Sequence, residues 1–173
     1  MTMRATPSPS CRESDNPPRP FAAGFAAWLQ SRTGLPTTSA VEGMPLVAGH
    51  VYVAKSNDHL IVRPDRTLAY TPEPKNYVYR PSVDVLFESL VSSWPRVGVA
   101  VLLTGMGSDG ARGLAMLRQN GWHTIAQDQS TSVVYGMPKA AAEMKAATHI
   151  LPLREIGQAV RAHLQSCSLK PNS

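Results

Sequence analysis

The stretch Thr104-Gly105-Met106-Gly107-Ser108-Asp109-Gly110 sets three glycines and one carboxylate between an apolar run and a segment with helical spacing. Two chemistries fit those residue types. Gly105, Gly107 and Gly110 reproduce G-x-G-x-x-G, with Asp128 at the end of the next apolar segment. In that pattern backbone N–H groups at a helix N-terminus hold a dinucleotide pyrophosphate, and the acidic residue takes a ribose hydroxyl. Asp109 opposes it, because it puts a carboxylate where the phosphates would approach. Like charges about 4 Å apart cost about 4 kcal/mol at an effective dielectric of about 20, which offsets most of what a helix terminus offers. In the second chemistry Asp109 is itself the functional group. Held on a sharp strand-to-helix turn, near a helix N-terminus that favours its ionised form, it can receive a histidine N–H and stabilise an imidazolium. A third reading is structural: Asp109 caps a helix and the glycines only make the turn.

Other residues of suitable type are less well placed. Ser108 adjoins Asp109, but neighbours on a turn point apart, and no Gly-x-Ser-x-Gly elbow surrounds it. His50, His123, His149 and His163 lie in strand or helix patterns that suit packing or surface roles. Cys11 and Cys167 stand near opposite ends, without CxxC or histidine at ligand spacing, so neither a disulfide framework nor a zinc site is indicated. No cofactor and no metal are expected.

The elements that would position the loop can be read from periodicity. Residues 1–20 hold five prolines and three serines with almost nothing large and apolar, and are expected to be a disordered lead. Phe21, Phe25, Trp28 and Leu29 then fall on one helical face, predicting an amphipathic helix over about 21–33, with Trp28 and Trp122 in the core. Segments 50–54, 59–62 and 68–70 read as short strands with a hairpin, separated by Ser56-Asn57-Asp58 and Pro64-Asp65-Arg66. Ser82 can cap a helix carrying Val83, Leu86, Phe87, Leu90 and Val91, which ends before Pro95; Asp84 near its start suits the helix dipole. Val97–Leu103 is a continuous apolar run, predicting a strand covered on both faces. A helix from Ala111 to Gly121, a strand at 123–127, a helix opened by Pro138, a strand at 149–153 and a helix over 155–164 complete the chain, and 165–173 is expected to be a disordered tail. This alternation predicts an α/β fold with a parallel sheet.

At 173 residues and 43% apolar content the chain suits one globular domain. No apolar run reaches the length of a membrane span, and residues 1–20 contain no signal-peptide core, so no membrane insertion and a cytoplasmic location are expected. The net charge of +5 is spread along the chain without a basic block, which argues against nucleic acid and suits an acidic protein surface.

Six segments together resemble one family. VLLTGMGSDGARGL (101–114), TIAQD (124–128), VYGMPKAA (134–141), YRPSVDVLFES (79–89), GHVYVA (49–54) and DHL (58–60) are similar, in order and spacing, to the catalytic domain of the chemotaxis protein-glutamate methylesterases, the CheB family, over about 21–164. The resemblance implies a doubly wound, mostly parallel, Rossmann-like sheet with a small β-hairpin. It also implies a Ser-His-Asp triad that hydrolyses glutamate γ-methyl esters on the cytoplasmic helices of chemoreceptors, in some members with glutamine deamidation. Asp109 then matches the triad aspartate, Met106 the residue whose backbone lies beside the oxyanion, and His59 a histidine of the hairpin region. Arg80 could attract an acidic receptor segment. The family's first strand–helix–strand unit, which carries the nucleophile serine and the base histidine, has no counterpart in these residues. A gapless alignment puts Asn16 at the base position, and asparagine cannot accept and return a proton near neutral pH. The chain alone is therefore expected to be inactive and to self-associate through an exposed sheet edge. A noncatalytic receptor-docking role is the alternative from another class.

Overall fold

The computed structural model describes residues 20–55 and 57–168. Turn residues recur every few positions in the first half, so its elements are short. Helix α1 (Pro20–Thr33) leads to β1 (Thr37–Ser39), which pairs in parallel with β2 (Val51–Val53), and β3 (His59–Val62) pairs antiparallel with β4 (Leu68–Thr71). The hairpin turns on Asp65, whose carboxylate accepts the Thr67 N–H at 3.0 Å and its hydroxyl at 2.7 Å. Longer apolar periods in the second half give α2 (Val83–Ser93), β5 (Val99–Leu102), α3 (Ala111–Gln119), β6 (His123–Gln127), α4 (Met137–Glu143), β7 (His149–Leu151) and α5 (Leu153–Ser168). Strands β5, β6 and β7 form a parallel sheet in that order, with Val99 opposite His123 and Ile125 opposite His149.

Side chains alternate across a strand, and this sorts the helices into layers. Ala100, Leu102 and Ala126 face Phe87, Leu114, Leu117 and Ala141, the main core cluster. His123 and Ile125 face the other way, where His163 of α5 stacks on His123 at 4.2 Å between ring centroids. Helices thus cover both faces, as the doubly wound reading requires. A second cluster of Ala40, Leu60, Val62 and Leu68 lies under the hairpin, and Leu86 and Leu90 of α2 pack against both clusters. Helix α2 therefore ties the hairpin to the sheet.

Packing departs from the sequence reading at four places. Among the described side chains of α1 the buried one is Ala26, while Phe25 and Trp28 are 39% and 51% exposed, so Trp28 is not a core residue. The helix is covered by the narrow β1–β2 pair, which hides less than the wide apolar face of a core helix. Trp28 instead stacks on Phe25 at 5.9 Å, with the Arg32 guanidinium 6.0 Å from its ring centre. In β5 only alternate residues are buried, and Val97 and Leu103 are exposed, because one edge of the strand has no partner among the described residues. Strand β1 lies where no apolar run predicted one; pairing with β2 creates it. Finally, α5 begins at Leu153 and continues to Ser168, into the segment expected as a tail. Of the lead expected at 1–20, Pro20 instead opens α1 and residues 1–19 lie outside the described residues, as does the end of that tail.

Candidate active site at the glycine loop

Strand β5 delivers the loop at its carboxyl end, where open α/β sheets place their sites. The loop is stitched to the segment before α4. Thr104 N–H donates to the Gln127 Oε1 at 2.8 Å, Gly105 N–H to the Val134 carbonyl at 3.0 Å, and Gly136 and Met137 N–H both to the Gly105 carbonyl, at 3.1 and 2.9 Å. Gly136 is required by this approach: a Cβ there would stand 2.7 Å from the Gly105 oxygen. Gly110 precedes α3 in the left-handed region (φ +85°), and a Cβ on it would come within 2.7 Å of Leu102 and 2.8 Å of Val83. The Met106 side chain projects outward, 73% exposed.

Asp109 caps a helix, but not the one that follows it. The N-cap of α3 is Gly110, which has no side chain with which to cap it. The Asp109 carboxylate instead reaches the start of α2. Its Oδ1 accepts the Ser82 hydroxyl at 2.7 Å and the Asp84 N–H at 3.1 Å, and its Oδ2 accepts the Val83 N–H at 2.7 Å. Helix α2 returns the contact, since Asp84 Oδ1 accepts the Gly113 N–H in the first turn of α3 at 2.7 Å. Two helix N-termini thus exchange carboxylates, each favoured by the other's unpaired amides. Burial pushes the Asp84 carboxyl above the usual range; the Gly113 bond opposes this and the Asp109 charge adds to it.

A serine, a histidine and an aspartate therefore meet here in an order that cannot run acyl transfer. His59, fully buried, accepts the Ser82 backbone N–H on Nδ1 at 3.1 Å, and its Nε2 lies 3.3 Å from the Pro74 carbonyl, to which it donates. The Ser82 hydroxyl is on the carboxylate rather than on an imidazole. Among the described residues no histidine ring bonds to Asp109. Ser108, His50, His123, His149 and His163 are not brought to it either. His123, His149 and His163 gather elsewhere, and His50 packs against Tyr52.

The dinucleotide fingerprint finds no support in this geometry. Each of its glycines is glycine because the protein itself stands close by: Met137 at Gly105, the Tyr79 hydroxyl at Gly107, and Leu102 with Val83 at Gly110. Asp128, the candidate ribose ligand, closes its own turn by accepting from the Ser130 and Thr131 hydroxyls and the Thr131 N–H. Those bonds, Ser130 first, hold its carboxyl below the usual range. Among the described residues no group of histidines, cysteines and carboxylates could hold a metal ion.

A family model described as CheB methylesterase matches residues 16–160. The chain belongs to the CheB methylesterase family. Among CheB relatives, the protein-glutamate methylesterase/protein-glutamine glutaminase 1 of Pseudomonas fluorescens (strain Pf0-1) is 56% identical over 136 residues, covering 79% of this chain and 40% of the relative. That of Cupriavidus pinatubonensis is 52% identical over 151 residues, covering 87% and 44%. The crystal structure of the Thermotoga maritima CheB methylesterase catalytic domain superposes with a TM-score of 0.76 at 31% identity, covering 83% of this chain and 77% of that one. The chain thus spans about two fifths of the length of the curated CheB proteins it matches.

Sequence reasoning missed the partners of the CheB loop rather than the loop. Ser82 was legible as a cap, and it does accept the Val85 N–H at 3.4 Å, but nothing local signals that its hydroxyl also meets a carboxylate 27 positions away. Asp84 was assigned to the helix dipole alone. A carboxylate at each of two helix starts within one α/β unit was the available signal.

Proposed function

We propose that this chain is the aspartate-bearing part of a protein-glutamate methylesterase, acting on the γ-methyl esters of methylated chemoreceptor helices and, by the same acyl chemistry, on glutamine side chains. The observation that carries the reading is the Asp109 carboxylate, partly exposed at the carboxyl end of β5, with one bond on Oδ2 and room for a second. That second bond is the one an imidazole N–H would make. In the reaction a serine hydroxyl attacks the ester carbonyl, and its proton passes to histidine. Asp109 holds that ring in one tautomer, and the Met106 N–H region with Gly105 and Gly107 stabilises the oxyanion. Methanol leaves with the proton, and water then releases glutamate. Among the described residues no serine and histidine stand in catalytic order beside Asp109, so the chain alone should not turn over.

The test is complementation. The strand–helix–strand segment of a matching relative, bearing its serine and histidine, is joined to residues 16–168 and methanol release from a methylated receptor fragment is measured. Turnover is expected, with Asp109→Asn lowering it by about 10⁴ as in triads whose aspartate is neutralised. Near-normal turnover of that variant would remove Asp109 from the mechanism. A second reading, docking on receptor helices without hydrolysis, is favoured by the noncatalytic order of Ser82, His59 and Asp109. Retention of this chain on immobilised receptor cytoplasmic fragments, with no methanol released, supports it.

A further inference from the structure

Consecutive residues at the start of α2 hold the Asp109 carboxylate: the Ser82 hydroxyl, the Val83 N–H and the Asp84 N–H. Of these donors the hydroxyl is the one a side chain supplies, and its direction is fixed. Ser82 Oγ accepts the Val85 N–H at 3.4 Å, and a carboxylate only accepts, so the hydroxyl proton points at Asp109 Oδ1. Ser82 is itself held from outside the helix. Its backbone N–H donates to Nδ1 of His59 on β3, and Nε2–H of that ring donates to the Pro74 carbonyl, which sets one tautomer. Both residues are buried, so water does not compete for these bonds. The start of α2 is also locked against α3. Asp84 Oδ1 accepts the Gly113 N–H, and a Cβ on Gly113 would stand 2.7 Å from Cβ of Phe87 and 3.1 Å from the Asp84 carbonyl oxygen, so the two helices are already in close contact.

We propose that Ser82 is a positioning residue: pinned by His59, its hydroxyl sets the direction of the Asp109 carboxylate and leaves the open side of Oδ2 for an imidazole N–H. The part this plays in catalysis rests on the esterase reading; the holding of the carboxylate does not. Oδ1 carries two donors and Oδ2 one, so turning the Asp109 side chain breaks bonds to groups that have no other acceptor beside them. The carboxylate is thereby aimed by the hairpin and α2 rather than by the glycine loop on which it stands. A triad aspartate works by orienting its imidazole, and a misplacement of about 1 Å can cost about a hundredfold in rate. His59, far from the reacting atoms in sequence and bonded to neither Asp109 nor the loop, acts through Ser82.

Two measurements test the proposal. In the full chain, three-bond scalar couplings measured by NMR should give Asp109 a single staggered χ1 rotamer. Ser82→Gly removes the hydroxyl but leaves a residue that still suits a helix N-cap, and should average those couplings; Ser82→Thr, which keeps the hydroxyl, should keep the single rotamer. In the chain complemented with the serine- and histidine-bearing segment, Ser82→Gly should lower kcat roughly ten- to a hundredfold at unchanged KM, and Ser82→Thr should recover it. Averaged couplings in the unsubstituted chain, a result that needs no folded variant, would overturn the proposal. So would a single rotamer retained in Ser82→Gly, or an unchanged kcat in that variant. Absence of turnover in every complemented chain would instead remove the esterase reading, while the couplings still decide whether Ser82 holds Asp109.

Discussion

Asp109 carries a structural duty that any test of its chemistry must separate from catalysis. It satisfies two backbone amides and a hydroxyl at the start of α2. Asparagine at this position would aim an NH2 at one of those donors. Asp109→Asn should therefore lower the stability of this chain by about 1–3 kcal/mol, the cost of one orphaned partly buried amide, read as a shift in urea midpoint. An unchanged midpoint would mean that the cap seen here is not made in solution. Asp84 allows a sharper comparison, because its charge and its acceptor oxygen can be removed separately. Asp84→Asn keeps an acceptor for Gly113 N–H and removes a buried charge beside Asp109, so it should be neutral to stabilising at pH 7. Asp84→Ala orphans that amide and should cost about 1–3 kcal/mol. Equal losses in the two variants would show that the acceptor is not what matters. The loop was legible because its glycines and carboxylate are contiguous. Its partners were not, because Ser82, Asp84 and His59 reach it across the fold and look locally like a cap, a dipole charge and a core residue.

Among elements, the longer apolar periods and the short apolar strands were read correctly, and the polar strand β1 was not. Helices α2 and α3 and strand β6 carry enough periodic residues to declare their faces, and the structure buries Phe87, Leu114, Leu117 and Ile125. Strand β1, by contrast, is Thr-Thr-Ser, and only its neighbour makes it a strand. The α1 face failed for a related reason: periodicity tells which residues share a face, not whether anything covers it. Two glycines in helical context make the point testable. Gly110 joins α3 to β5 and α2 with positive φ and no space for a Cβ, so Gly110→Ala should cost more than the roughly 1–3 kcal/mol of ordinary overpacking. Gly157 lies in α5 with nothing within 4 Å of a Cβ, and Gly157→Ala should stabilise by about 0.5–1 kcal/mol. Thermal unfolding of both variants should move the midpoint in opposite directions; movement in the same direction would contradict the close packing at Gly110.

At the scale of the molecule, one edge of β5 has no partner among the described residues, and self-association through it is the expected behaviour in solution. Val97 and Leu103 flank the strand and are 56% and 44% exposed, so an apolar edge with free backbone groups faces solvent. A second copy can meet that edge about a two-fold axis, which makes the two β5 strands antiparallel and the contact self-limiting. A net charge of +5 opposes the approach only weakly at physiological salt, where screening acts within about 8 Å. Sedimentation velocity should therefore show association that grows with protein concentration. Val97→Lys together with Leu103→Lys, which place like charges on both flanks of the edge, should return the species to the monomer without lowering the unfolding midpoint, since neither side chain is in the core. A wild-type chain that sediments as a monomer at all concentrations would show that the edge is covered in solution, and would turn attention to what covers it.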